Sequence, residues 1–298
     1  MKLHPLVAGL VLGLASFGAL AAPTAVVEGV QMPAWVERGG TREPLSAGME
    51  LRAADKISTG ANARILLRMV EGSQVKLGEN ALLTLDSLGQ RQENKQTFVQ
   101  AALAVARGAF RFTTDARARF SSRREVNIRV ATVTAGIRGT DLWGKSADDR
   151  DIVCLIEGAI SVQRDSEAPV AMNQALQFYI APKAGGQRDA SRAASLAAVT
   201  PEQLQQWAAE TEIAVGQGAA RRGGRWKVIA ASSSNQNEAL AVYDRLRAEG
   251  FAASIFPIGS AQTRSYEVRV GGLPSRAEAD ALAGRLEPVI GARPRTAM

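Results

Sequence analysis

The sequence predicts a multidomain chain: an all-β domain of the sandwich or roll type, then an α+β domain with a ferredoxin-like (RNP-like) βαββαβ order. Three observations lead to this fold class. Between residues 25 and 182, short runs of alternating apolar and polar residues are separated by glycines. From residue 225 onward, a pattern of one strand and one helix occurs twice, 40 residues apart. A length of 298 residues is also typical of two domains.

The chain begins with a segment that has the features of a secretory signal peptide. Lys2 provides a basic start, an uncharged apolar run extends from Leu6 to Leu20, and Ala19 and Ala21 supply the small residues of a cleavage site. We predict a signal peptide over residues 1–21, with cleavage near Ala21 and export to the periplasm. An uncleaved anchor helix is the alternative, but the run is shorter than the roughly 20 residues that span a bilayer. The expected mature chain has no stable membrane span.

Removal of this leader leaves few side chains with which to build a catalytic or metal site. The only His of the chain is His4, so the mature chain has no His nucleophile pair and no His metal ligand. Cys154 is the only Cys, and it lies in an apolar, strand-like run where a buried thiol acts as a small hydrophobe. No paired carboxylate motif stands out. We predict a non-enzymatic protein without a cofactor or metal.

The charge balance bears on the partners of the mature chain. Without Lys2, 35 of the 36 Lys and Arg remain against 29 Asp and Glu, which gives a net charge of +6. This excess favours attraction to anionic envelope polymers or lipid surfaces. The arginines are scattered and are not interleaved with aromatic side chains that would stack on bases. Nucleic acid is therefore not an expected partner.

Alternation of apolar and polar residues predicts the strands of the first domain, residues 25–182. Ile65, Leu67 and Met69 alternate with their neighbours, as do Val75 and Leu77. Further strands are predicted over the similar runs Leu82–Leu85, Gly108–Thr113, Val126–Val133, Ile152–Glu157 and Ile160–Gln163. Residues 96–107 fit a helix or a strand, and their pattern does not decide between the two. Many short strands separated by turn signals indicate a sandwich, a barrel or a roll.

Between the two domains, residues 183–224 are rich in Ala, Gly and Arg and are predicted to form a linker. A helix over residues 201–213 interrupts it, because Thr200, Pro201 and Gln203 provide an N-cap, a first helical residue and the far partner of a capping box. Trp207 is expected to pack this helix against the β domain. A free amphipathic linker helix is the alternative.

The internal repeat predicts the elements of the second domain, residues 225–298. Each copy has a strand, then a capping pair, then apolar residues at the i, i+3 and i+7 positions of a helix. The capping pairs are Asn235 with Glu238 and Ser275 with Glu278. Phe251–Phe256 and Pro288–Ala292 are the predicted closing strands. One sheet with both helices on one face is the simplest packing, and it leaves the other face open to a ligand.

This second domain resembles the SPOR domain, a bacterial module that binds peptidoglycan glycan strands lacking stem peptides. The stretches that carry the resemblance are residues 226–232, 266–273 and 275–279. The resemblance implies a binding face on the first and third strands. SPOR domains usually present a Gln and a Ser from the first strand, and an aromatic residue and an Arg near the start of the third. These positions carry Ile229, Ser232, Ser265 and Glu267 here, so only Ser232 is the usual family residue. Alternation along the third strand places Arg269 on the same face as Glu267.

The first domain resembles the FecR domain over roughly residues 25–182. The most specific matching stretch is Arg138-Gly139-Thr140-Asp141, and residues 55–60 and 71–78 also match. Arg138 and Asp141 fit a surface recognition site. A structural turn in which Thr140 and Asp141 bond the backbone is the favoured interpretation. FecR regulators add a membrane helix and a sigma-factor-binding segment, neither of which is evident, so iron-siderophore signalling is not expected.

These resemblances predict two alternative functions. In the first, an exported envelope protein binds peptidoglycan glycan strands through its SPOR-like domain and engages an envelope protein partner through its FecR-like domain. In the second, a periplasmic regulatory adaptor binds proteins through both modules and binds glycan weakly or not at all. The second alternative stays open because Ile229, Ser265 and Glu267 depart from the family pattern.

Overall fold

A computed structural model describes residues 25–93, 96–115, 122–137, 139–165, 167–183 and 195–298 of the protein. The predicted signal peptide, residues 1–21, lies outside these residues, and so does Arg138. The described residues form a β domain followed by an α+β domain. The strands of the β domain are β1 (Ala25–Gln31), β2 (Ala34–Arg38), β3 (Thr41–Pro44), β4 (Glu50–Leu51), β5 (Lys56–Thr59), β6 (Arg64–Met69), β7 (Gln74–Leu77), β8 (Leu82–Glu93), β9 (Gln96–Thr113), β10 (Ser122–Val130), β11 (Val133–Ile137), β12 (Asp141–Ser146), β13 (Arg150–Glu157), β14 (Ile160–Arg164), β15 (Val170–Met172), β16 (Gln177–Pro182), β17 (Ser195–Ala198) and β18 (Ala220–Arg221).

Two sheets face each other in the β domain and share the long strand β9. The first sheet has the order β1-β6-β7-β9-β12-β13-β16-β17, with β4 and β18 on the free side of β1. The second has the order β3-β2-β5-β8-β9-β10-β11-β14-β15, in which β9 and β10 are parallel. The all-β domain of the sandwich or roll type predicted from the alternation of residues is thus confirmed.

Residues 96–107, whose pattern fitted either a helix or a strand, form the first part of β9. Val99, Ala101, Leu103 and Val105 are buried, which is the period of two that a strand requires. β8 and β10 pair with this part on its two sides, so the neighbouring strands satisfy its backbone groups. The second part of β9, from Gly108, pairs instead with β7 and β12 of the first sheet.

The core of the sandwich lies between the two sheets and consists of their inward-facing apolar residues. The first sheet contributes Val27, Ile65, Leu67, Val75, Leu77, Phe110, Phe112, Leu142, Val153 and Leu155. The second contributes Val36, Ile57, Leu83, Leu85, Leu103, Val105, Ile128, Val133, Ala135 and Val162. Burial of apolar area on this scale is the main term that stabilises such a domain.

The segment predicted as a linker is largely folded onto the sandwich. β17 and β18 extend the first sheet, and helix α1 (Pro201–Ala209) lies between them in sequence. The Trp207 ring stacks on Trp143 at a centroid distance of 4.7 Å and meets Phe178 edge-on at 5.6 Å. This helix packs on the outer face of the first sheet, so the alternative of a free linker helix is wrong.

Helix α1 begins as its sequence predicts and ends earlier than predicted. Thr200 and Gln203 form the complete capping box. The helix ends at Ala209 and not at residue 213, because the N–H groups of Glu210 and Thr211 donate to the carbonyls three residues earlier, at 3.2 and 3.1 Å, and so close the last turn. Beyond the helix, Glu212 reaches the strands and pairs with Arg111 at 3.6 Å.

The α+β domain has the predicted order of elements. Its elements are β19 (Trp226–Ser233), α2 (Gln236–Ala248), β20 (Ala253–Ile258), β21 (Ser265–Leu273), α3 (Arg276–Ile290) and β22 (Arg295–Ala297). The four strands form an antiparallel sheet in the order β20-β21-β19-β22. The apolar sides of α2 and α3 pack on one face of this sheet, where Val228, Val268 and Val270 are buried.

The last strand differs from the prediction. Pro288–Ala292 was expected to be the closing strand, but α3 continues through Pro288 to Ile290 and ends at Gly291, which is in the left-handed conformation. Val289 and Ile290 pack against the core from the end of this helix. The closing strand is instead β22, whose Arg295 lies opposite Ile229 of β19.

The two domains pack against each other through the helical side of the α+β domain. The Arg285 guanidinium of α3 donates to the carbonyls of Met32 and of Gln217, the latter at 3.1 Å. Gly250 follows α2 with a φ of 80°, and a Cβ there would lie 2.5 Å from the Trp35 ring. The contacts between the domains therefore cover the helices and not the opposite face of the sheet.

Candidate functional site

The five residues predicted from the SPOR resemblance lie on the sheet face that is opposite the helices. Across the sheet, Arg269 is opposite Ile229, and Glu267 is opposite Ser232. Ser265 lies on the same side of β21, because it is two residues from Glu267. We call this surface the open face. It also contains residues of β20 and β22 that lie opposite these positions.

A β-bulge is needed to bring Ile229 and Ser232 to the same face. Two residues of a regular strand that are three positions apart point to opposite faces. The register of β19 against β21 shifts at Ala230, so that Ile229 pairs with Arg269 while Ala231 pairs with Val268. The extra residue restores the orientation of the side chain at position 232.

An ionic cluster occupies the middle of the open face. The Arg269 guanidinium donates through Nε to Oε2 of Glu267 at 2.7 Å, and its Nη2 atom forms an ion pair with the same oxygen at 2.7 Å. The Nη2 atom of Arg295 lies 3.5 Å from the other oxygen, Oε1. Glu267 is only 7% exposed, so its charge is compensated within the cluster. The aliphatic parts of Arg269 and Arg295 flank Ile229 in register, which explains why that residue is buried.

Phe256 gives the open face an aromatic surface. It lies opposite Glu267 on the edge strand β20, and the Arg269 guanidinium sits over its ring, 4.7 Å from the centroid. The ring remains 43% exposed. The SPOR resemblance implied an aromatic residue at the position of Ser265, and here the neighbouring strand supplies one.

Sequence reasoning did not assign Phe256 and Arg295 to the site. Alternation of Ser254, Phe256 and Ile258 in β20 carried the signal for the aromatic residue, since these face the same side. No such signal was available for Arg295, because the closing strand was predicted at Pro288–Ala292. Only its pairing with Ile229 places it on the open face.

The described part of the FecR motif forms a turn, but not with the side-chain bonds to the backbone that were expected: the Thr140 backbone and the Asp141 carboxylate bond to other residues of the β domain, and the buried Thr140 hydroxyl has no partner among the described residues. The Thr140 N–H donates to the Thr114 hydroxyl at 3.1 Å, and the Thr114 N–H donates to the Thr140 carbonyl at 3.0 Å. The Asp141 carboxylate accepts from Arg111 Nε at 2.9 Å and Nη2 at 2.7 Å. This hydrogen bond raises the pKa of Arg111. Gly139 precedes the turn with a φ of 70°.

Cys154 is fully buried, and burial raises the pKa of its thiol from 9.0 to about 12. The reactive thiolate is therefore rare in the native protein below that pH. We expect iodoacetamide to alkylate the native chain negligibly at pH 8 and at pH 9, and rapidly in urea. Mass spectrometry of this single Cys measures both rates. Rapid native labelling would contradict the buried placement.

The part of the chain that the structure describes contains no group of three or more His, Cys, Asp or Glu side chains placed to hold a metal ion. None of its helices combines the length and the apolar character that crossing a bilayer requires.

The fold and the open face define a class, that of a two-domain protein with a β-sandwich and a ferredoxin-like domain. The comparison with protein families makes this specific. The SPOR domain matches residues 223–293, and the FecR protein family matches residues 55–161. The chain therefore carries a FecR domain followed by a SPOR domain. Both are binding or regulatory domains of envelope-associated proteins.

Comparison with solved structures gives more distant matches. Two crystal structures of a candidate anti-sigma factor from Parabacteroides distasonis ATCC 8503 match at 12% identity. One has a TM-score of 0.40 and covers 51% of this chain and 64% of its own. The other has a TM-score of 0.39 and covers 80% and 92%, respectively. The chain thus spans less than two thirds of the first structure. A comparison with curated proteins found no match.

Proposed function

We propose that the protein is an exported, non-enzymatic envelope protein whose SPOR domain binds peptidoglycan glycan strands that lack stem peptides. The observation that supports this most directly is the open face, where an exposed aromatic ring lies beside hydrogen-bond donors. Phe256 offers an apolar surface to a sugar ring, and Arg269 and Ser232 offer donors to its oxygens. An extended sheet face also fits an extended polymer better than it fits a compact small molecule.

The domain packing supports binding at this face. The β domain contacts the helical side of the SPOR domain through Met32, Trp35 and Arg285, and so leaves the sheet face accessible.

In this proposal the FecR domain engages an envelope protein partner. If it does so, an Arg269→Ala chain, whose β domain is intact, should still co-purify with an envelope protein under conditions that remove glycan. If no envelope protein co-purifies with the unsubstituted chain or with the Arg269→Ala chain, the proposal of a protein partner is contradicted.

Glycan binding is tested with the full mature chain and purified peptidoglycan sacculi, before and after an amidase has removed the stem peptides. We expect co-sedimentation to increase after stripping. Arg269→Ala and Phe256→Ala should each weaken binding about tenfold, which is the effect of one lost charge-assisted hydrogen bond or ring contact. Arg276→Ala is the matched control, because Arg276 lies on α3 at the helical side with its side chain 74% exposed.

The alternative function, a periplasmic adaptor with weak or no glycan binding, has one observation in its favour. Glu267 occupies the guanidinium of Arg269 and so competes with a ligand for its donors. Under this alternative, neither preparation of sacculi binds the chain. If competition by Glu267 is the cause, Glu267→Gln should raise binding to stripped sacculi, because the neutral amide releases the Arg269 guanidinium.

A further inference from the structure

The open face carries more positive than negative charge. The cluster at its centre has two cations, Arg269 and Arg295, and one carboxylate, Glu267, which gives a net charge of +1. Lys227 is on the same face, two residues before Ile229 on β19, and its ammonium group donates to the main-chain oxygen of Met298 at 2.6 Å. A surface of this sign favours a ligand with a negative charge.

The two arginines of the cluster are held very differently. Arg269 is fixed by a hydrogen bond of 2.7 Å from its Nε to Glu267, by a 2.7 Å ion-pair contact of its Nη2 with the same oxygen, and by the Phe256 ring. Arg295 touches the same carboxylate at only 3.5 Å, which is the outer limit of a hydrogen bond, and its side chain is 69% exposed. The donors of Arg295 are therefore available to a second carboxylate, which would form a bidentate pair with it.

The charges of Glu267 and Arg269 on β21 compensate each other, so the half of the open face formed by β20 and β21 is neutral. The other half, formed by β19 and β22, carries the positive charge of Arg295. Phe256 and Arg269 lie on β20 and β21, and Arg295 lies on β22 at the other edge of the sheet. The row across the four strands is Ser254, Arg269, Ile229 and Arg295. With strands about 4.8 Å apart, the backbone of β22 is roughly 14 Å from the edge strand β20, while the Arg295 side chain reaches back to within 3.5 Å of Glu267 on β21. A sugar chain that lies across the sheet can contact the Phe256 ring and the Arg295 guanidinium with neighbouring residues.

We propose that Arg295 selects a glycan that carries a free carboxylate, and that this carboxylate is the feature by which the open face distinguishes stripped strands from intact ones. This inference rests on the proposed function. Removal of a stem peptide by hydrolysis of its amide bond to the lactyl group of muramic acid leaves a carboxylate beside the sugar ring. In an intact strand the same carbon belongs to a neutral amide, which offers no charge to Arg295.

The test measures how strongly the full mature chain binds three forms of peptidoglycan. They are intact sacculi, amidase-stripped sacculi, and stripped sacculi whose carboxylates have been reduced to alcohols with carbodiimide and borohydride. We expect reduction to weaken binding about tenfold or more, since it removes a charge-assisted pair. Arg295→Gln should lower the affinity for stripped sacculi to that for the reduced form. Arg293→Gln is the control, because Arg293 lines a cleft on the helical side instead.

The outcomes separate this inference from the proposed function. Equal binding of the stripped and the reduced forms would overturn the role of the carboxylate and leave glycan binding in place. No binding to any form would overturn both. An Arg295→Gln chain that still discriminates between the stripped and the reduced forms would assign the selection to another residue and not to Arg295.

Discussion

Replacement of Glu278 by Ala is expected to lower the free energy of unfolding by about 3–5 kcal/mol, because several buried hydrogen bonds to one charged group are lost. The Glu278 carboxylate accepts from the backbone N–H groups of Gly216, Gly218 and Ala219 at 2.6, 2.7 and 3.0 Å. Its side chain is buried, with the residue 5% exposed. Truncation leaves three backbone donors without this acceptor, two of them in buried bonds.

This carboxylate also joins the two domains. Residues 216–219 lead directly into β18, which pairs with β1 of the sandwich, while Glu278 belongs to α3 of the SPOR domain. Urea denaturation followed by tryptophan fluorescence measures the change. Glu287→Ala is the matched control, an exposed Glu on the same helix, and should change the midpoint little. A Glu278→Ala chain as stable as this control would contradict the assignment.

Replacement of Gly108 by Ala is expected to destabilise the β domain by about 3 kcal/mol or more. Gly108 has a φ of 87°, which is costly for a residue with a side chain, and a Cβ there would lie 2.6 Å from both Cα and Cβ of Ala81. The Ala81 backbone cannot move freely, because its N–H donates to the Thr59 hydroxyl at 2.8 Å. The strain and the overlap therefore add.

The position of Gly108 makes this effect a test of the fold. At this residue β9 leaves the second sheet, where Arg107 pairs with β8, and enters the first, where Gly108 pairs with β12. Thermal unfolding of the variant measures the loss. Gly89→Ala is the control, since Gly89 lies in β8 with open space around its Cα. If both variants unfold at the same temperature, the sheet-switching role of Gly108 is wrong.

The capping patterns show which features of a helix start the local sequence can predict and which it cannot. Three capping boxes were predicted, and the one at Thr200 and Gln203 forms completely. At the start of α3, Ser275 accepts from the Glu278 N–H at 3.2 Å, but the Glu278 side chain turns away to residues 216–219. The sequence showed that a helix begins there. It did not show that a segment 60 residues earlier in the chain would compete for the carboxylate.

The residues of the open face were likewise predictable only in part from the local sequence. Alternation along β21 correctly placed Glu267 and Arg269 on one face, since that strand has no irregularity between them. The same rule would have separated Ile229 from Ser232, and only the bulge at Ala230 reunites them. Arg295 entered the site because of which strand pairs with β19, and that choice depends on residues 66 positions away in sequence.

The sequence by itself thus determined the two domain types, the order of elements in the second domain and its open face. Periodic apolar patterns and helix caps are local, and local patterns are sufficient to specify strands and helices. The tertiary structure decided the folding of residues 195–221 onto the sandwich, the docking of the SPOR helices on Met32 and Trp35, and the cluster of Glu267 with two arginines. Each of these depends on contacts between residues that are distant in sequence, and no pattern within one segment contains that information.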